Sequence, residues 1–286
     1  MSLESVNTNM GAMVALQSLE STQTQLASTQ KQISTGFRVA DSTDDGAAYA
    51  IAQGIRATVG AVTASNEQLG NVQGLLSTAQ TGLNGISTTM ASMRDVLVKL
   101  SDTSETTADQ SNYQQQYASL LANVKTFITD SNYNGKTLIG NVGGTAGYGT
   151  ITVARDGSGD IYSIGSQGAS AIYTSLAGLA GTGVAITTGA LAAQAALKTG
   201  GVFINQQNAI GTALNAIGSN INYVNNQVTF NNDKIDALNS GLGSLVDADL
   251  AKESAQLTAL QIRQQLGTQA LSLANQAPQT LLSLFK

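Results

Sequence analysis

The chain contains no cysteine, no histidine and no tryptophan, a single proline, and only 5% aromatic residues across 286 positions. Each absence removes a class of chemistry. Without cysteine there are no disulfides, no thiolate nucleophile and no thiolate metal ligand. Without histidine, the imidazole bases and ligands used by most zinc, haem and general-base sites are gone. Charge is sparse as well: 13 Lys and Arg against 18 Asp and Glu give a formal net charge of −5. The cations, among them Lys31, Arg38, Arg56 and Lys252, are scattered. No basic cluster of the kind that nucleic-acid backbones or anionic membranes require is present, so no nucleic-acid partner is expected. No apolar run reaches the ~18 residues of a membrane span. The N-terminal MSLESVNTNMGAMVALQSL lacks a basic leader ahead of an apolar stretch, so no Sec signal is expected, and export would need another route.

What the chain does have is apolar periodicity. Leu69, Val72, Leu76, Ala79, Leu83, Ile86, Met90, Met93, Leu97 and Leu100 alternate at three- and four-residue steps. A second seam runs Ile210, Leu214, Ile217, Ile221, Val224, Val228, Asn231, Ile235, Leu238, Leu242 and Leu245. A mean step of ~3.5 residues keeps one face toward a partner helix, which is coiled-coil or long-bundle spacing. With an apolar fraction of 42% and few aromatics, the core is expected to be thin and built from aliphatic and small side chains.

Residues 3–37 read as a helix with a narrower seam, Leu16, Leu19, Gln23, Leu26, Gln30, Ile33 and Phe37, ended by Gly36. The two seam glutamines make it weak alone. Ser42 and Asp45 have capping-box spacing ahead of a shorter helix reaching toward Gly60. A further helix carries Tyr113, Tyr117, Leu120, Val124 and Phe127, and Asn134-Gly135 reads as a tight turn. Between 136 and 200 the pattern breaks into loops, a hairpin of Ile151–Val153 and Ile161–Ile164 turning at Asp156-Gly157, and a short helix over Leu191–Leu197. The last helix carries Leu250, Leu257, Leu260 and Leu271, widened by Ile262, Leu266 and Leu273. Pro278 is expected to kink or end it, leaving Leu281, Leu282, Leu284 and Phe285 as an apolar tail. Both ends need each other to be stable.

Other motifs have plain structural readings. The glycines at 178, 181 and 183 follow no clear strand and lack the dinucleotide fingerprint. Asp44-Asp45 and Asp247/Asp249 sit beside helix starts, where carboxylates cap and answer the helix dipole more often than they bind metal. Arg94 and Asp95 suit a solvated or interchain ion pair, and Tyr113 and Tyr117 suit packing.

Three segments carry a family resemblance: STGFRVADSTDDGAA at 34–48, YNGKTLI at 133–139, and NQAPQTLLSL at 275–284 after Gln264-Gln265-Leu266-Gly267. In this order and at both ends, the chain closely resembles bacterial flagellin. The resemblance implies a mainly α fold: a long antiparallel coiled-coil or helical-bundle rod formed by both chain ends, with a small hairpin-containing central region. It implies an inner coiled-coil domain from 1–40 and 246–286, a helical domain from 41–135 and 201–245, and a surface region over 136–200.

The implied function is a structural subunit that polymerises into the flagellar filament for motility, secreted to the cell exterior, without enzyme activity or cofactor. The implied partners are copies of itself, alone or mixed with related flagellins, an export chaperone and the flagellar type III apparatus, and hook-associated junction and cap proteins. The candidate intersubunit contacts are Leu16, Leu26, Ile33, Leu257, Leu260, Leu266, Leu271, Leu273, Leu282 and Phe285. The termini are expected to be partly disordered until assembly. The family's innate-immune epitope has an arginine two positions before the one matched by Arg94; here that position is Ser92, and Asp95 replaces a glutamate, so the resemblance does not extend to those two epitope residues. The competing readings are a hook–filament junction protein of the same family, a monomeric helical binding module and, weakest, an enzyme.

Overall fold

The computed structural model describes the backbone of residues 8–142, 148–180 and 190–284, and the side chains of the same residues apart from 180 and 277–284. The elements in chain order are α1 (Met10–Thr35), α2 (Gly46–Leu100), α3 (Thr107–Asp130), β1 (Ile151–Ala154), β2 (Ile161–Ile164), α4 (Ala169–Ala180), α5 (Ala190–Leu197), α6 (Val202–Val246) and α7 (Leu250–Leu284). They form two compact units, Met1–Thr58 with Asp236–Lys286, and Val59–Ile235.

In the second unit, every residue of the Leu69–Leu100 seam is buried. The stripe fills one continuous core with Tyr117, Leu121, Val124 and Ile128 of α3, Ile172 and Leu176 of α4, and Phe203, Ile210, Ile217 and Val224 of α6. The Tyr117 hydroxyl donates to the Leu176 carbonyl at 3.2 Å, and burial pushes its pKa up. Gly82 lets α2 and the end of α3 close, since a Cβ there would overlap the Ser131 side chain and approach Ile139. The hairpin pairs antiparallel in register Ile151↔Ile164 to Ala154↔Ile161. Asn134 and Gly135 both take positive φ in a two-residue turn closed by Tyr133 and Lys136, as the Asn-Gly pair predicts.

Several expectations need correction. The helix from Gly46 does not stop near Gly60: α2 is a single helix of 55 residues. Ala52 is buried in the small core of the first unit and Leu69 in that of the second, and the glycines between them cost helix propensity without breaking the helix. Ser42 does not cap α2. Asp45 does, accepting from the Ala47 and Ala48 amides. Residues 169–180, expected as loop, form α4, where Ala169, Ile172 and Leu176 keep a helical stripe against the core. Glycines 143, 144, 147, 181 and 183 lie outside the described residues. Phe127 is partly exposed, with Leu121 and Ile128 taking its place in the core.

In the first unit, α1 packs on α7. Its inward stripe is Ala12, Ala15, Leu19, Thr22, Leu26, Thr29 and Ile33, so Gln23 and Gln30 face solvent rather than the seam. Small residues one position earlier replace them. Gly36 ends α1 in the left-handed conformation, and the following strand-like segment joins the α6–α7 link: Arg38 and Val39 amides donate to the Val246 carbonyl, and Ala248 donates to Gly36. Val39, Ala48, Ala52 and Val246 make a small core there. Asp249 caps α7 by accepting from Ala251 and Lys252.

Helix α7 does not end at Pro278 but continues to Leu284. A proline removes the amide that would donate to the carbonyl four residues back, here that of Ala274. That carbonyl instead accepts from Asn9 Nδ2 at 2.7 Å, while Asn9 Oδ1 caps α1 by accepting from Ala12 at 3.0 Å. One side chain thus closes both chain ends. Asn9→Ala is expected to destabilise the chain by about 1–2 kcal/mol through the lost cap and hydrogen bond. The loss should be smaller in a Pro278→Ala background, where Ala274 regains a helical donor. Urea midpoints of the four proteins measure the coupling, and strict additivity would contradict it.

Lys31 Nζ reaches Asp41 at 2.7 Å and Asp44 at 2.9 Å, and Asp44 also accepts from the Ala40 and Asp41 amides. Hydrogen bonding to Lys31 holds both carboxyls below their ordinary 3.8, and the two carboxylates raise Lys31 above 10.5. Lowered carboxyl values stabilise the folded loop above the unfolded pKa and are lost as pH falls toward the folded values. The raised lysine value stabilises below 10.5 and is lost as pH rises through the folded value. The loop is therefore expected to hold between roughly pH 4 and 10. Hydrogen exchange at Ala40 and Asp41, corrected for intrinsic pH dependence, should accelerate below that window in the native chain. In Lys31→Met it should already be fast at neutral pH.

Candidate subunit interface

Two paired helices can hide only one stripe each, and the α1–α7 pair shows what is left over. Among its described residues only Thr29 and Leu260 are almost fully buried, each 2% exposed. The inward side of α7 is Leu257, Leu260, Gln264, Gly267, Leu271 and Ala274, at alternating four- and three-residue steps. A Cβ on Gly267 would stand 3.3 Å from Leu19 Cδ1, so the glycine sets how closely the helices approach there.

The outer faces are apolar too. On α1, Met10, Met13, Val14 and Leu16 are exposed; on α7, Leu250, Ile262, Leu266 and Leu273 are exposed, the last two at 59% and 67%. At ~100° per residue, Ile262, Leu266 and Leu273 fall within about 40° of one another, a single stripe. A groove of about 770 Å³ runs between the helices, with Val14, Gln17 and Ser21 on one wall and Arg263, Leu266 and Ala270 on the other. Arg263 is the one charged residue among those lining it.

The structure sorts the sequence-derived contact residues into two sets. Leu260 is buried, and Leu26, Ile33, Leu257 and Leu271 are half-buried, on the inward faces of the pair. Leu16, Leu266 and Leu273 stand on the outer faces. The side chain of Leu282, and Phe285, lie outside the described residues. Sequence reading missed Met10, Met13 and Val14, although their i, i+3, i+4 spacing is a helical apolar face, and gave no role to Arg263 or Gly267.

Among the described residues no group of three or more Asp or Glu could hold a metal ion, and no helix is long and apolar enough to cross a membrane. Arg94 and Asp95 are exposed and make no salt bridge within the chain among the described residues.

Residues 6–143 match the bacterial flagellin N-terminal helical region and residues 203–285 match the bacterial flagellin C-terminal helical region. The chain is 34% identical to the flagellin FljK of Caulobacter vibrioides over 286 residues, covering all of both chains. It is 32% identical to a flagellin of Brucella melitensis, over 99% of this chain and all of that one. A solved flagellar hook-associated protein from Vibrio parahaemolyticus superposes with a TM-score of 0.56 at 15% identity, covering 71% of this chain and all of that one. At that identity the likeness speaks for the fold alone. Two helical end regions matched in order, a full-length relationship to flagellins and an unfinished helical face together make this chain a member of the bacterial flagellin family, a structural subunit of the flagellar filament.

Proposed function

We propose that the outer face of the α1–α7 pair, with Leu16, Leu266 and Leu273 among its contacts, is where one subunit meets the next. The carrying observation is the set of large apolar side chains left outside a pair that already buries its inward stripe. Contiguous apolar surface of this sort marks an association site. The inward residues Leu26, Ile33, Leu257, Leu260 and Leu271 support it by holding the two helices together, and Leu282 and Phe285 extend the contact at the C-terminus.

On this reading residues 1–40 and 246–286 form the inner coiled-coil domain of the filament. Residues 41–135 and 201–245 form the helical domain, and 136–200 form the surface region seated on it. The thin interior of the α1–α7 pair offsets little of the ~1–2 kcal/mol per residue that ordering the backbone costs, so the ends gain order on assembly. A chain that reaches the cell exterior with partly unfolded ends suits export through the flagellar type III apparatus, escorted by a chaperone that covers the apolar C-terminal stripe. Junction and cap proteins meet the same face at the filament's two ends.

Leu266→Asp and Leu273→Asp are expected to leave the monomer's fold unchanged, because both side chains already face water, yet to block polymerisation by burying an unpaired charge. Leu260→Ala instead is expected to loosen the α1–α7 pair within the subunit itself and to lower the helix content of the monomer. Far-UV circular dichroism of monomers, and electron microscopy after adding salt, separate the two classes. Normal filaments from both aspartate variants would refute the interface. Helix content should rise when the native chain polymerises, and an unchanged spectrum would refute ordering on assembly.

A further inference from the structure

Four-residue strands paired only with each other are marginal in water, yet the β1–β2 hairpin holds a defined place on α2 and α6. Part of the reason is apolar, since Val153 and Ile164 are buried. The turn end is different: its attachments are polar. Asn231 occupies a seam position on α6 and is fully buried. Its Nδ2 donates to Asn66 Oδ1 at 2.8 Å and to the Arg155 carbonyl at 3.1 Å, and its Oδ1 accepts from Gln227 at 3.0 Å. Ser65 Oγ donates to the next carbonyl, Asp156, at 2.8 Å. Gly157 then lies so close to α2 that a Cβ would stand 3.0–3.1 Å from Ala61 and Val62. Hence Asp156 and Gly157 are held against the helices, and the exposed part of the turn is Ser158, Gly159 and Asp160.

We propose that Asn231 and Ser65 form a polar latch that seats the hairpin turn on the α2–α6 pair, with Asn231 the positioning residue of that seat. A leucine at 231 would continue the apolar seam and serve helix pairing at least as well, because buried polar groups are often replaced by apolar ones without loss of stability. What leucine cannot supply is a donor to the Arg155 carbonyl. The geometry makes Asn66 the partner that orients Asn231, since it accepts the second hydrogen and is itself bonded across the helices to Asn232 at 2.8 Å. A role limited to helix pairing would not need Ser65 on the neighbouring carbonyl or a glycine at 157.

Hydrogen exchange in the full chain tests the latch. Asn231→Leu should leave amide protection in α2 between Leu69 and Leu100 unchanged. Exchange of the hairpin amides at 151–164 should accelerate about tenfold, the scale of one or two lost hydrogen bonds. Ser65→Ala, a smaller change that does not alter the seam, should accelerate the same amides in the same direction and covers the case in which the leucine variant fails to fold. If hairpin exchange is unchanged in Ser65→Ala and tracks α2 in Asn231→Leu, the two residues serve only helix pairing and the latch does not exist.

Discussion

The structure depends on one geometric limit: a two-helix pair buries a single stripe of each partner, and α1 and α7 each carry more apolar surface than that stripe holds. Ala12, Ala15, Thr22 and Thr29 line the inward face of α1 beside its larger residues. Small residues let the backbones approach but bury little area, and at ~25 cal/mol per Å² the pair gains little from it. The larger side chains, Met10, Met13, Val14, Ile262, Leu266 and Leu273, stand on the other side. A monomer designed to be finished would have these the other way round. The arrangement suits a chain whose ends complete their packing against other copies.

The second unit obeys a different economy. There α2 meets α3, α4, α6 and the hairpin, so its stripe is covered from several directions and closes into a core without help from outside. Within this unit the Tyr117 hydroxyl is satisfied by the Leu176 carbonyl, and the Asn231 side chain by Gln227, Asn66 and Arg155. One unit is self-sufficient and the other is left open at its surface, which is the division of labour a polymerising subunit requires.

How much of this could be read from the sequence follows from the same contrast. The Leu69–Leu100 seam was legible residue by residue because a fully covered stripe must be apolar at every step. The α1 seam was legible only at Leu19, Leu26 and Ile33; between them, Thr22 and Thr29 face inward while glutamines one position later face out, and small polar residues carry no strong periodic signal. Helix α4 was hidden among glycines. The continuation of α7 beyond Pro278 could not be foreseen, because the compensating donor is Asn9, 265 residues away. The polar seat of the hairpin turn was equally invisible: Asn231 was read as one more seam position, and the carbonyls it serves have no sequence signature.

The absence of cysteine makes the central claim, that the outer stripe of the α1–α7 pair is covered in the polymer, directly measurable. Single Leu266→Cys and Ser158→Cys chains can be compared by their rate of reaction with a soluble maleimide, as monomers and as filaments grown from a mixture with excess native chain. Position 266 should react readily in the monomer and become strongly protected in the filament, while position 158 on the hairpin turn reacts at similar rates in both. Equal reactivity of position 266 in the two states would contradict the account.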